Sequence, residues 1–448
     1  MPSRYTSMAF DHDGSLTMHN ARTGAVGVVP ADRAEQARRA LLPGTVTVEP
    51  LSDILGDLVK GGFLVPAGTD EKLLAHNKFV SRYSSRNLHL IVMPTEQCNF
   101  RCVYCYEKFL RGEMSPELQR ALVAFVKGQE LDQLALSWFG GEPLLAKDVV
   151  LSVTGALSEH CREAGISFAC GTTTNGWHLV PGLADELIRL GVRRFQVTLD
   201  GLRHAHDERR PGLDGTGTFQ RIVDNLRYLR STSHDFIVTV RHNFDPGNLA
   251  QAEEFIAFLE SEFAGDNRFA THFHPIGRWG GPNDDTLDVC EGQGAVAAWS
   301  RLRALSLKAG MGSSLALQTL QPNGNVCYAA DPRSFVIGSD GRVYKCTVEL
   351  DSNDRNIVGQ LHPDGTMSVD WPKMALWCET NGMDGDKKCT TCYFSPTCHG
   401  AVCPKEWLDD NDCSCPPVKQ TIRESLPLIK IEAVLARRSA QTIQSCAD

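Results

Sequence analysis

Three cysteines fall within eight residues, at Cys98, Cys102 and Cys105. Thiols that close together on one loop can converge on a single metal centre, and thiolates are the soft ligands that iron–sulfur clusters require. A four-iron cube takes four ligands, so three protein thiolates leave one iron open to a small molecule. Zinc is more often closed by four ligands, and no His follows at finger spacing. The plainer alternatives are a zinc knuckle or a set of buried thiols. A second field lies downstream. Cys327 is followed by thirteen residues and then Gly341-Arg-Val-Tyr-Lys-Cys346; Cys378, Cys389, Cys392, Cys398, Cys403, Cys413 and Cys415 come after it. Taken alone, Cys389-x2-Cys392 would also suit a zinc ribbon or a redox dithiol. Cys161, Cys170, Cys290 and Cys446 have no partner at motif spacing and are expected to be incidental thiols. His272 and His274 are expected to be structural or surface residues.

These loops need elements to carry them. Residues 1–86 predict a small α/β module, with strands at Tyr5–Phe10, Ser15–His19 and Ala25–Val29 separated by Asp13-Gly14 and Thr23-Gly24 turns. Helices follow at Asp32–Leu42 and Asp53–Lys60, the second capped by Ser52, and Phe63–Val65 is apolar and extended. That order suggests a winged-helix-like module. From 87 to 310 strands alternate with amphipathic helices, which implies a parallel sheet. Six strand candidates begin at Leu88, Leu134, Ser167, Arg194, Phe236 and Thr271. They are too few for a closed eight-stranded barrel and fit an open, partial one. Function then belongs on the loops after the strand ends, and Cys98 follows the first strand. From 311 to 416 helical periodicity fades, and the segment is expected to fold around metal rather than a large apolar core. Residues 417–448 predict a helical tail containing Pro427.

Further motifs recur at successive strand ends. Phe139-Gly140-Gly141-Glu142-Pro143 follows the second strand; its glycines permit close backbone approach and Glu142 can accept from an ammonium. Thr174-Asn175-Gly176 follows the third, Thr198-Leu199-Asp200-Gly201 the fourth, and Arg241 ends the fifth with a planar fork suited to a carboxylate. The triad C-x3-C-x-aromatic-C, with Tyr104 as the aromatic, resembles the radical S-adenosylmethionine (SAM) enzymes. The resemblance covers about 88–310. It implies a (β/α)6 partial TIM-like barrel and a [4Fe–4S] cluster on Cys98, Cys102 and Cys105. It also implies SAM contacts from Tyr104, Gly140, Gly141, Glu142, Pro143, Asn175, Thr198, Asp200 and Arg241, and cleavage of SAM to a 5′-deoxyadenosyl radical.

The downstream field resembles the SPASM extension of such enzymes, which holds two auxiliary [4Fe–4S] clusters. The resemblance would give one cluster Cys389, Cys392, Cys398 and either Cys413 or Cys415. The other would take Cys327, Cys346 and Cys403, with Cys378 as fourth ligand or one iron left open. The spacing before Cys403 is one residue longer than the family pattern. The N-terminal module resembles, by element order, the leader-recognition element of ribosomal peptide-modifying enzymes. Together these imply a maturase that cross-links side chains of a ribosomally made precursor peptide at an unactivated C–H, with flavodoxin or ferredoxin as reductant. Formylglycine formation on a sulfatase-like protein is the alternative within the same chemistry. A non-catalytic metal-binding or electron-carrier protein is the alternative of another class. The net charge of −9 argues against nucleic-acid binding. No apolar run approaches bilayer-spanning length and the start lacks an apolar signal segment, so a cytoplasmic protein without membrane contact is expected.

Overall fold

Leu88, Leu90, Ile91 and Val92 are all buried because β4 (Asn87–Val92) is covered on both faces. It starts a parallel run through β5 (Gln133–Trp138), β6 (Ser167–Thr174), β7 (Val192–Thr198), β8 (Ile237–Phe244) and β9 (Phe269–Pro275), paired in that order. All six expected strands are present, with ends shifted by a few residues. The register aligns their C-terminal ends: Val92 pairs with Trp138, Trp138 with Thr172, Thr174 with Val197, Thr198 with Arg241 and Arg241 with His272. The loops that follow therefore emerge together.

The intervening helices bury the stripes that their sequence spacing predicts. Pro116–Lys127 starts with Pro116 in its first turn and a Ser115 cap accepting from Leu118 N at 3.2 Å, and it buries Ala121, Leu122, Phe125 and Val126. Phe219–Ser231 buries Phe219, Ile222, Val223, Leu226 and Leu229. Each such side chain contributes about 1.5–3 kcal/mol.

The sheet is longer than expected. β10 (Ser334–Ile337) pairs parallel with the free side of β4, and β11 (Arg342–Tyr344), β12 (Ile357–Leu361) and β13 (Met367–Val369) continue it antiparallel to a tenth strand. This corrects the expected 311–416 block. Its middle is a β-hairpin system with an apolar interior, in which Phe335, Val336, Ile337, Val343 and Val358 are buried. The structure describes residues 1–46, 53–313, 315–350, 353–379, 387–400, 402–412 and 414–444. It divides into two units. One comprises Met1–Ser84, Ser314–Pro332 and Trp377–Arg437; the other is built on Ser85–Ser313 and Arg333–Leu376. The expected boundaries near 87 and 310 lie close to these divisions, whereas the cysteine-rich block is split between the units.

In the first unit β1 (Thr6–Phe10), β2 (Leu16–Asn20) and β3 (Val26–Val29) form a three-stranded antiparallel sheet with β2 at its centre. α1 (Ala31–Ala40) and α2 (Asp53–Lys60) pack on it through Ala34, Ala37, Ile54 and Leu58 against Leu16, Met18 and Phe63. The expected Ser52 cap lies outside the described residues. A third helix, α3 (Glu71–Val80), was not expected; Asp70 caps it by accepting from Leu73 N at 3.0 Å. The tail helix Ile422–Gln444 carries Pro427 inside it, and its Lys430 donates to Asp13 at 3.0 Å. Among the described residues no helix is long and apolar enough to cross a membrane.

The turn bearing Cys346 is held by one side chain. Asn356 accepts from the amides of Lys345 and Cys346 at 3.0 and 2.8 Å and donates to the carbonyls of Cys346 and Glu349 at 2.9 Å each. Asn356→Ala leaves these buried groups unpaired. It should lower unfolding free energy by about 2–3 kcal/mol. Arg86→Ala, which removes an exposed ion pair to Asp132, should change it by less than about 0.5 kcal/mol. Denaturant titration of both variants checks the contrast.

Candidate metal and cofactor site

The loop after β4 runs from Met93 to Arg111 without regular structure, so neighbouring strand ends must hold it. On one side it pairs with residues 209–213: Arg101 N donates to Pro211 O at 2.9 Å, Val103 N to Arg209 O at 2.9 Å, and Leu213 N to Asn99 O at 2.8 Å. On the other side it lies against the Gly-Gly-Glu-Pro turn. A Cβ on Gly140, whose φ is +117°, would stand 2.4 Å from Thr95 O, and one on Gly141 2.4 Å from Glu96 O and 2.5 Å from Gln97 O. The glycines admit the protein's own backbone, the segment leading into Cys98, while also lining the cavity described below.

Tyr104 anchors the loop's centre. Its hydroxyl donates to Asp200 and accepts from Arg210 Nη1 at 2.6 Å and Asn243 Nδ2 at 3.0 Å. Asp200 is fully buried; it also accepts from Asn243 N at 2.8 Å and pairs with Arg210 at 3.8 Å. Glu142 is equally buried. Its carboxylate accepts from Leu144 N at 3.0 Å, Thr174 Oγ1 at 2.7 Å and Asn175 N at 2.7 Å, so it caps the short helix Pro143–Ala146 and ties it to the end of β6. Asn175 in turn donates to Asn99 Oδ1 at 2.8 Å.

Between these elements lies a cavity of about 190 Å³. Cys98, Cys102 and Cys105 line it with Tyr104, Gly140, Gly141, Asn175, Thr198 and Arg241. Glu142, Pro143 and Asp200, expected at its wall, lie behind it. Their burial and the protein donors around the two carboxylates explain why. Arg241 donates Nε to Asn243 Oδ1 at 2.8 Å, which leaves its two terminal nitrogens for a ligand. Arg210, Asn243, Tyr106, Trp279 and His274 also line or brace the cavity and were missed. For Asn243 and His274 a signal existed: they sit two residues beyond Arg241 and His272, hence on the same strand face. His274 therefore lines the cavity rather than the outer surface. Burial first, then Arg241 and His272 beside it, hold its pKa well below the usual imidazole value.

Burial pushes the Cys98 and Cys105 thiols up to about 12 and raises Cys102 as well. A metal binding there must displace those protons. The donor set fits an iron–sulfur cluster in one specific way. Cys98 Sγ accepts a backbone N–H from Phe100 at 3.4 Å, Cys346 from Val348 at 3.4 Å and Cys392 from Phe394 at 3.3 Å. Each donor lies two residues after its cysteine, and N–H groups aimed at sulfur favour the thiolate form. Among the described residues no group of three or more His, Cys, Asp or Glu is placed to hold a single metal ion. A cube of four irons, by contrast, spreads its ligands over its corners.

The downstream cysteines divide between the two units. Cys346 lies in the unit that holds the long sheet; Cys327, Cys378, Cys389, Cys392, Cys398, Cys403 and Cys415 lie in the other. Cys413 and Cys446 are outside the described residues. Cys161 and Cys170 are buried, and Cys170 lies against Thr154 and Trp138.

Residues 92–259 match the model of the Radical SAM superfamily. A GTP 3′,8-cyclase of Pseudomonas fluorescens (strain Pf0-1) is 30% identical over 168 residues, 35% of this chain and 46% of that protein. The chain spans about half the length of the curated relatives it matches. The structure of anSMEcpe with bound AdoMet shares the fold with TM-score 0.58 at 16% identity, covering 80% of this chain and 98% of that one. The same protein with AdoMet and Cp18Cys peptide gives 0.57 at 17%, covering 78% and 99%.

Gly141→Ala forces its Cβ into two backbone carbonyls and should cost about 1–3 kcal/mol. It should also displace the cysteine loop, seen as loss of most iron and sulfide after anaerobic loading. Gly182→Ala, in a helix with open space around it, should be neutral or stabilising by about 0.4–1 kcal/mol with iron content unchanged.

Proposed function

We propose that this chain, which carries a radical SAM domain at residues 92–259, is an enzyme that modifies a peptide by hydrogen abstraction. When bound, the cluster and SAM supply an electron and a 5′-deoxyadenosyl radical. The chain's own residues do the rest. Cys98, Cys102 and Cys105 hold the cluster at the cavity wall, and Gly140 and Gly141 seat the loop. Arg241 offers two nitrogens to the SAM carboxylate, and Thr198 lies in reach of its ribose. Tyr104 and Asn175 fix the loop from the cavity wall, and Asp200 and Glu142 do so from behind it. The carrying observation is the convergence of three thiols, one of them already bonded to a backbone N–H, on a cavity that also receives Arg241.

The substrate side of the reading is a ribosomally made precursor peptide with a leader. It is supported by the N-terminal order β1–β2–β3–α1–α2–α3, in which β1 and β3 each pair only with β2 among the described residues. An edge strand can capture an extended peptide by strand addition. The cysteines downstream fit two auxiliary [4Fe–4S] clusters in a SPASM-like arrangement, which would accept the electron left after ring closure. A flavodoxin or ferredoxin is the proposed reductant, and side-chain cross-linking the proposed outcome. Formylglycine formation on a protein is the second reading; the peptide-bound structure that shares this fold is compatible with either. The nucleotide-cyclising relatives align with little more than a third of the chain, and the N-terminal module has no evident use on a nucleotide.

Anaerobically loaded protein with SAM and dithionite should release 5′-deoxyadenosine. Cys102→Ala should reduce the rate at least 100-fold. Coexpression with a candidate precursor peptide, sought as a short open reading frame beside the gene, should give a product 2 Da lighter. Absence of 5′-deoxyadenosine from fully loaded protein would sink the proposal.

A further inference from the structure

Lys419 stands among thiols. It lies in the short helical turn Pro417–Gln420, is half-buried, and donates from Nζ to Cys415 Sγ at 2.9 Å. Its other charge partner is Cys392, and no carboxylate meets it among the described residues. Cys392 belongs to a tight local group. Its amide donates to Cys389 O at 3.1 Å, and its sulfur accepts from Phe394 N. Cys398 is buried nearby, with Cys392, Cys389 and Lys419 as its charged neighbours. Tyr393 faces Cys392, Cys415, Lys419 and Arg423. Cys415 and Cys392 thus meet one ammonium, and Cys389 and Cys398 lie beside Cys392 in the same structural unit.

A lysine in this position does what neither a packing residue nor a surface cation does. It gives a charge-assisted N–H···S bond to a ligand sulfur in a partly desolvated site, where charge acts over short distance with little screening. Reduction of a thiolate-bound cluster adds negative charge. A fixed cation and an N–H···S bond stabilise that form and raise the potential.

We propose that Lys419 is the positioning and potential-setting residue of the cluster held by Cys389, Cys392, Cys398 and Cys415, keeping it readily reducible. The inference rests on the auxiliary-cluster reading above. It takes Cys415 as the fourth ligand, because Cys415 is the cysteine bonded to the lysine.

The test uses the full chain with Cys98, Cys102 and Cys105 replaced by Ala, so that only auxiliary iron remains. Iron and sulfide are counted, and the midpoint potential is followed by electron paramagnetic resonance during reductive titration. Lys419→Gln should load the same iron and show one auxiliary signal shifted to a more negative midpoint. Lys419→Arg should restore most of the shift. Cys415→Ala should remove about four irons per chain. Equal midpoints in the Gln variant and its parent would overturn the role of Lys419 while leaving the cluster reading intact. Equal loss of iron in the Gln and Arg variants would do the same, since the side chain would then serve packing alone. A parent without auxiliary iron would overturn both.

Discussion

The site depends on a loop of some twenty residues that has no helix or strand of its own and few internal hydrogen bonds. A loop in that state loses its shape unless its polar groups are met from outside. Here the meeting points are the C-terminal ends of parallel strands, which the sheet register brings level. Tyr104 shows how much rests on one group: a single hydroxyl joins the loop to Asp200, Arg210 and Asn243 at once. A buried network of this kind is stabilising only when every member is paired. Asp200 and Arg210 would each be costly alone, and together with Tyr104 they cost little and leave the loop one position to occupy.

The same logic explains the inward turn of the acidic residues. A carboxylate at a strand end invites a reading as a ligand contact. Glu142 and Asp200 instead spend every oxygen on protein donors, and neither is exposed. Their work is to set the distance between adjacent strand ends. Among the groups that reach the cavity, the thiols and the terminal nitrogens of Arg241 keep bonding capacity for a ligand. This separates a bracing layer from a contacting layer at the same motifs, and residue type alone does not make that separation.

Much of the fold was legible because it rests on periodicity. The apolar run at Leu88–Val92 and the stripes at Leu122–Val126 and Ile222–Leu229 record burial directly. The cysteine triad was legible because soft-ligand spacing is specific. What escaped has physical reasons. Leu73, Leu74 and Val80 of α3 are exposed, so no apolar stripe announces that helix. β10 to β13 are only three to five residues long, and surrounding Gly, Asp and Cys hide their alternation. Arg210 lies on a loop, where no period tells an inward guanidinium from an outward one. The glycines were noticed, but sequence cannot say whose backbone they admit.

Charge gives the two thiol groups a common feature. Clusters bound by several thiolates are anionic, and a site that holds them away from water must supply compensation within the protein. Were a cluster bound by Cys98, Cys102 and Cys105, Arg210 would do so from a short distance. Burial would weaken its charge, yet Cys102, Tyr104 and Asp200 hold it up, and its bonds go to Tyr104 rather than to sulfur. In the other unit Lys419 bonds to Cys415 directly. The difference matters chemically. A cation that is itself clamped by Asp200 has part of its field cancelled, so it would shift a potential less than one whose bond goes to sulfur. On this argument the site with Arg210 is the harder to reduce and the site with Lys419 the easier, which is the order required if one centre is to give an electron and the other to receive one.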